Sequence, residues 1–308
     1  MSDRSKPQTP ASSVGFFGAT LLARAARGST WTALTFFVSQ GARFAANLIL
    51  ARLLFPEAFG IMALVTMLLI GLTLISDMGI AQSILQSKRG DDPEFLDTAW
   101  TLQIIRGLVL WLAACALALP AAAFYGQPDI TLLLPVAAIS LLFAALEPMR
   151  VETANRHLLI GRVTALDLLS TLVGIVAMVV LAWATRSVWS LVAGWVVTSG
   201  FRLAVMWLFL PGDSNRLRWE KSAGSELLTF GIWIFLSSVC GLLVSQGDRA
   251  ILGKFLNIDG LGIYNIGMFL ASFPLMLGMT ITSRILIPLY REHLNEADDT
   301  ARNRLFRL

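Results

Sequence analysis

Among the ionisable residues inside stretches otherwise apolar enough to cross a bilayer, Arg43, Arg106, Arg202, Asp248 and Arg249 stand out. A charge near the bilayer centre costs about 3 kcal/mol or more, so such a side chain faces a watery cavity or a partner rather than lipid. Arg43 lies midway along the apolar run from Trp31 to Leu54, with Gln40 and Asn47 at helical spacing on either side. At about 100° per residue, Thr32, Phe36, Gln40, Arg43 and Asn47 share roughly one third of a helix circumference. Ser238, Ser245 and Arg249 share a face in the same way, with Asp248 adjoining. Guanidinium groups hold phosphate oxygens in bidentate fashion and stay ionised when partly desolvated, so the pattern points to a cationic cavity for an anion. Structural alternatives stay open here. Arg43 can pin helices by pairing with Asp77 or Glu147; Arg106 and Arg202 lie close enough to span ends to snorkel; Asp248 and Arg249 can satisfy one another. Asp77 and Asp167, near the cytoplasmic boundary, read as helix-end or loop salt-bridge residues.

The elements that must carry these residues follow from composition. The 308-residue chain is 56% hydrophobic and 14% charged, with mean hydropathy +0.70, whereas about 25% charged is usual for a soluble domain. An all-α polytopic membrane protein is expected, because apolar runs near 20 residues recur without the alternation of barrel strands. Eight transmembrane helices are predicted, at 30–53, 59–82, 99–124, 130–149, 163–184, 188–210, 227–253 and 260–283. The connections at 54–58, 125–129 and 185–187 are tight turns, two with proline, while those at 83–98, 150–162 and 211–226 are longer. The longer loops hold Lys88, Arg89, Arg150, Arg156, Arg162, Arg216, Arg218 and Lys221; the other face has Arg52, Arg186, Arg249 and Lys254. By the positive-inside rule both termini are cytoplasmic.

This asymmetry also accounts for the net charge of +4 and the pI near 9.4. Excess basic residues on cytoplasmic loops meet anionic lipid, so no nucleic-acid partner is expected. Cys115 and Cys240 fall inside apolar spans as small core residues. His157 and His293 are isolated, and Asp91, Asp92 and Glu94 flank a helix start, so neither a metal site nor a cofactor is expected. No Walker-type phosphate loop is present, and no catalytic residues are assigned. Arg24 and Arg27 interrupt the first apolar run, which favours a short interfacial helix over Phe16–Arg27 rather than a cleaved leader.

An internal repeat organises the rest. Residues 50–64 align without gaps on 252–266 at an offset of 202: Leu50, Leu54, Gly60 and Ile61 match Leu252, Leu256, Gly262 and Ile263. Arg52 then pairs with Lys254, Glu57 with Asp259, and Trp31 with Trp233. Both segments leave one span, make a short acidic turn and open the next at a glycine. If the seventh span repeats the first, six helices form a unit and the two units are parallel, a transporter plan with substrate held between the halves. The expected divisions are 1–28 (cytoplasmic segment), 29–210 (six-helix lobe), 211–226 (cytoplasmic linker), 227–283 (first hairpin of a second lobe) and 284–308 (cytoplasmic tail).

The string from Leu50 through Arg52, Pro56 and Gly60 to Ile61, with Gly247-Asp-Arg-Ala-Ile-Leu-Gly253-Lys and Gly260-Leu-Gly-Ile-Tyr264, resembles the signatures of Wzx-type polysaccharide flippases of the multidrug/oligosaccharidyl-lipid/polysaccharide exporter superfamily. The likeness runs from about residue 28 to residue 292. It implies two six-helix lobes, of which this chain would hold one and the opening hairpin of the next, a truncation after the eighth span. It implies a bacterial inner-membrane protein that moves a polyprenyl-diphosphate-linked oligosaccharide (an O-antigen, exopolysaccharide or capsule repeat unit) by alternating access. A polysaccharide polymerase and a chain-length regulator are the partner classes implied. The first and seventh spans would face each other, bringing Arg43, Gln40 and Asn47 opposite Arg249 and Asp248, with Arg202 and Arg106 nearby, around the anionic head group. Three other readings remain: a cation-coupled drug antiporter of the same superfamily, which would want membrane carboxylates in the first lobe; a glycan polymerase or glycosyltransferase, which would want reactive groups in substantial loops; and an inactive fragment.

Overall fold

The computed structural model describes residues 34, 35, 37–77, 79–87, 89–157, 160–212 and 215–281. The expected interfacial helix at Phe16–Arg27, the stripe positions Thr32 and Phe36, and the tail 284–308 lie outside the described residues. Every element assigned among the described residues is helical. In chain order they are α1 (34–53), α2 (Pro56–Ile75), α3 (Ile80–Gln86), α4 (Pro93–Tyr125), α5 (Ile130–Ala137), α6 (Ile139–Ala145), α7 (Arg150–Arg156), α8 (Ile160–Thr185), α9 (Trp189–Phe209), α10 (Lys221–Phe255) and α11 (Ile258–Ile281). Among the described residues α2, α4, α8 and α9 are long and apolar enough to cross a membrane, and a fifth crossing follows if the α5–α6–α7 run is one bent span. The chain is a multi-pass membrane protein.

Several boundaries differ from the expected spans, each for a local reason. Pro56 starts α2 three residues early, because its fixed φ suits the first helical turn where no N–H is needed. The same helix ends at Ile75 rather than continuing to 82. Asp77 Oδ1 accepts from the Gly79 N–H at 3.0 Å, and Gly79 takes φ 60°, so the chain turns and restarts as α3. Asp92 caps α4 by accepting from the Glu94 N–H at 3.2 Å, which extends that helix six residues below the expected start at 99. The fourth span is not one helix. Pro135 removes a backbone donor, the helix breaks at Ala138, and α7 leaves the Ile130–Ala145 axis at 61°. The expected loop 150–162 therefore contains α7, and the linker ends at Lys221, where α10 begins ahead of the expected 227.

The interior is apolar and so is much of the outer surface, as suits a protein in lipid. Val244, Phe255 and Trp183 are 88%, 82% and 72% exposed, while small residues line the helix contacts. Ala114, Ala118, Ala121 and Ala122 bring α4 against α5, whose Ile130, Leu133 and Leu134 are buried. A Cβ at Gly107 would strike Ala145, one at Gly174 would strike Thr198, and one at Gly194 would strike Met178, so these helices meet nearly backbone to backbone. The repeat reappears at the α2–α11 crossing. A Cβ on Gly60 would strike the Ile258 carbonyl, and a Cβ on Gly262 would strike the Pro56 carbonyl. The two contacts interconvert under the offset of 202, Gly60 with Gly262 and Pro56 with Ile258.

The linker lies along the first turns of α4. Asp97 Oδ1 accepts from Arg216 N at 2.9 Å, Thr101 Oγ1 from Arg218 N at 3.1 Å and Thr98 Oγ1 from Glu220 N at 3.1 Å. Arg89 bridges Asp92 and Glu220 at 2.6 and 2.7 Å. Those carboxylates, Glu220 foremost, raise the guanidinium pKa above its ordinary range. The linker is thereby held to α4 by side chains spaced at 97, 98 and 101, one face of a helical turn.

Candidate functional site

Two cavities share Arg43 as a wall residue, and a third adjoins the second. The first, about 400 Å³, is lined from α1 by Thr35, Ser39 and Arg43, from α8 by Thr164, Asp167, Ser170 and Thr171, and from α9 by Thr198 and Arg202. The second, about 290 Å³, keeps Arg43, Thr171 and Thr198 and adds Asn47, Phe59, Trp195, Asn265 and Phe269. A third, about 350 Å³, shares Asn47, Phe59, Asn265 and Phe269 and reaches Arg249 on α10. Arg43, Asn47 and Arg249 line adjoining cavities between α1, α2, α8, α9, α10 and α11, whereas Gln40, Ser238 and Ser245 of the two expected stripes line none of the three.

Arg43 is exposed and makes no ion pair among the described residues. Its backbone carbonyl accepts from Asn47 Nδ2 at 2.9 Å, which fixes that amide one turn along the stripe. The structural alternative for Arg43 is not realised: Asp77 caps the turn at Gly79 and Glu147 is bound to Arg202. Gln40 is half-buried, has a partner of its own and is not among the residues lining these three cavities.

The remaining candidates divide. Arg202 lines the first cavity but does not snorkel: its Nε donates to Asp167 Oδ1 at 2.7 Å and its Nη1 donates to Glu147 Oε1. Arg249 reaches the third cavity and donates to Gln246 Oε1 at 3.0 Å. Asp248 does not pair with Arg249; its Oδ2 accepts from the Tyr264 hydroxyl at 2.6 Å, and its Oδ1 is buried with no hydrogen-bond partner among the described residues. Arg106 is placed elsewhere. It donates from Nε to Ser76 Oγ at 3.1 Å and from Nη2 to the Thr73 carbonyl at 2.9 Å, closing the C-terminal turn of α2, where a cation suits the helix dipole.

Several wall residues escaped the sequence reading. α11 contributes Asn265 together with Phe269, whose ring stacks on Phe44 at 6.2 Å between centroids, while Asp167, expected as a salt-bridge residue, pairs with Arg202, which also binds Glu147. Asn265 left a signal, since an amide inside an apolar helix is itself unusual. Thr171 and Thr198 left none, being ordinary small helix-contact residues by type.

Adjoining cavities with arginines in their walls, inside an apolar helical bundle, are chemically suited to an anionic group. The family model described as "Polysaccharide biosynthesis protein" matches residues 49–307. The chain belongs to that family. It is 24% identical over 285 residues to the lipopolysaccharide biosynthesis protein WzxC of Escherichia coli (strain K12), covering 90% of this chain and 56% of that protein. It is 21% identical over 272 residues to the succinoglycan biosynthesis transport protein ExoT of Rhizobium meliloti (88% and 55%). It is 19% identical over 229 residues to the teichuronic acid biosynthesis protein TuaB of Bacillus subtilis (72% and 46%). The chain spans about half the length of these curated relatives. No solved structure matches it. The resemblance to Wzx-type flippases, carried by Leu50–Ile61 and Gly247–Tyr264, agrees with this family, whose relatives are named for polysaccharide biosynthesis and transport.

Proposed function

We propose that the chain belongs to a flippase that moves a polyprenyl-diphosphate-linked oligosaccharide from the inner to the outer leaflet of a bacterial inner membrane. The observation that carries this reading is Arg43: a guanidinium within an apolar helix, facing a cavity, with no acidic partner among the described residues. An arginine so placed keeps its charge available for phosphate oxygens. Asn47 and Asn265 line the space beyond it and suit hydroxyl-rich or phosphate groups. The head group enters from the cytoplasmic side, meets Arg43, and crosses as the two halves rock around it while the tail stays in lipid. The reciprocal contacts of Gly60 and Gly262 support the parallel two-lobe plan; in this reading the chain has eight spans and both termini are cytoplasmic.

A drug antiporter of the same superfamily would need a carboxylate in this wall free to hold a cation. Asp167 stands there, but its charge is engaged by Arg202. In the full-length protein, exchanging Arg43 for Ala should abolish glycan export while leaving membrane insertion intact. Wild-type export by that variant would remove the basis of the reading.

A further inference from the structure

A further cavity, about 700 Å³, lies where α4 begins, walled by α4, α7 and the linker that follows α9. Its arginines are Arg150 of α7 and Arg216 and Arg218 of the linker. Arg218 is paired with Glu94 at 2.9 Å, whereas Arg150 and Arg216 make no ion pair among the described residues. Arg150 is nonetheless fixed. Its Nη1 donates to the Gly212 carbonyl at 3.2 Å, its Nη2 donates to the Trp207 carbonyl at 2.8 Å, and its guanidinium stands 5.2 Å over the Trp207 ring. Its buried Nε has no hydrogen-bond partner among the described residues. Arg216 is exposed, and of its donors only the backbone N–H is bonded, to Asp97. The two acids of the wall have donors of their own: Asp91 pairs with Arg156 and faces His157, and Asp97 Oδ1 accepts from Arg216 N and Asn215 Nδ2. Unused donors on two cations therefore face one space. The apolar outer surface runs up to it, because the exposed Leu208 and Phe209 close α9 just before wall residues Pro211 and Gly212, and exposed Leu217 stands between Arg216 and Arg218.

We propose that this cavity binds an anionic phospholipid, with the phosphate between Arg150 and Arg216 and the acyl chains along Leu208, Phe209 and Leu217. The site is separate from Arg43 and does not depend on the head-group reading there. Guanidinium donors form charge-assisted bonds to phosphate oxygens, and basic pockets at a membrane boundary recognise lipid head groups in this way. Trp207, packed edge-on against Trp100 at 6.2 Å between centroids, supplies the indole layer usual at that boundary. A soluble phosphate matches the donors alone; a phospholipid matches the donors and the apolar rim together. Once bound, the phosphate joins α7 to the linker, which is otherwise tied to α4 through the backbone N–H groups of Arg216, Arg218 and Glu220. The order of the linker thus becomes a function of the charge of the surrounding lipid.

The test is amide hydrogen exchange at residues 215–220 of the purified protein in nanodiscs, of phosphatidylcholine alone or with part of it replaced by phosphatidylglycerol of the same acyl chains. The expected result is exchange about tenfold slower with phosphatidylglycerol, as for a site some 90% occupied. Arg216→Gln should lose most of that slowing yet match the wild-type protein in phosphatidylcholine, since its side chain has no partner among the described residues to lose. Equal exchange of the wild-type protein in the two bilayers overturns the proposal, and so does undiminished slowing in Arg216→Gln. The same slowing by inorganic phosphate added to phosphatidylcholine nanodiscs also overturns it, because the site would then take the free anion rather than a lipid.

Discussion

Gly262 packs against Gly60 so closely that a Cβ on the former would lie 3.0 Å from the backbone nitrogen of the latter, besides striking the Pro56 carbonyl. The obstacles are backbone atoms, which cannot swing aside as the tip of a side chain can. Gly60→Val and Gly262→Val should therefore each destabilise the bundle by about 1–3 kcal/mol, the usual cost of overpacking. Thermal unfolding in detergent measures this, with Gly41→Val as control, since nothing lies within 4 Å of a Cβ there.

Arg202 is held by two carboxylates, and the deeper one has no other cation among the described residues. Arg202→Met should leave Glu147 buried and uncompensated, at a cost of about 3 kcal/mol. Adding Glu147→Gln should recover most of the loss, because the uncompensated charge goes with it. The melting temperatures of the two variants, compared in the same detergent, check the recovery.

The Arg89 bridge to Asp92 and Glu220 ties the linker to the first turns of α4. Arg89→Ala should speed amide exchange at residues 215–220, with little change in the exchange of α8 and α9. The pH dependence has a definite sign. A cation whose pKa is raised on folding contributes fully below its unfolded value and is lost only above its folded value. Since the Arg89 pKa is pushed above the ordinary arginine range, protection of the linker should hold as pH rises from about 7 to about 9. Alkaline opening in that window would show that this pair does not hold the linker.

Much of this arrangement was legible in residue type and spacing. Arg43 and Asn47 stand four apart in an apolar run, and an ionised group there has few physical options, so their cavity position followed. The repeat at offset 202 marked Gly60 and Gly262 as equivalent, although nothing in the string said that they would touch. What escaped depended on long-range geometry. Glu147, Asp167 and Arg202 are separated by 20 and 35 positions, and only the packing of α6, α8 and α9 joins them. Arg106 had the same composition of neighbours as a cavity arginine, and only the early end of α2 at Ile75 turned it into a helix-end cap. The breaks at Gly79 and Ala138 escaped because hydropathy continues across them while backbone geometry does not.

Selective binding of the head group is the most direct test of the site. Undecaprenyl diphosphate and undecaprenol share a tail and differ at the group that Arg43 is held to contact, so their affinities for the wild-type and Arg43→Ala proteins isolate that contact. The expected result is a preference for the diphosphate of about tenfold or more, some 1.4 kcal/mol, that disappears in Arg43→Ala. An equal preference in both proteins would contradict a head-group site at Arg43.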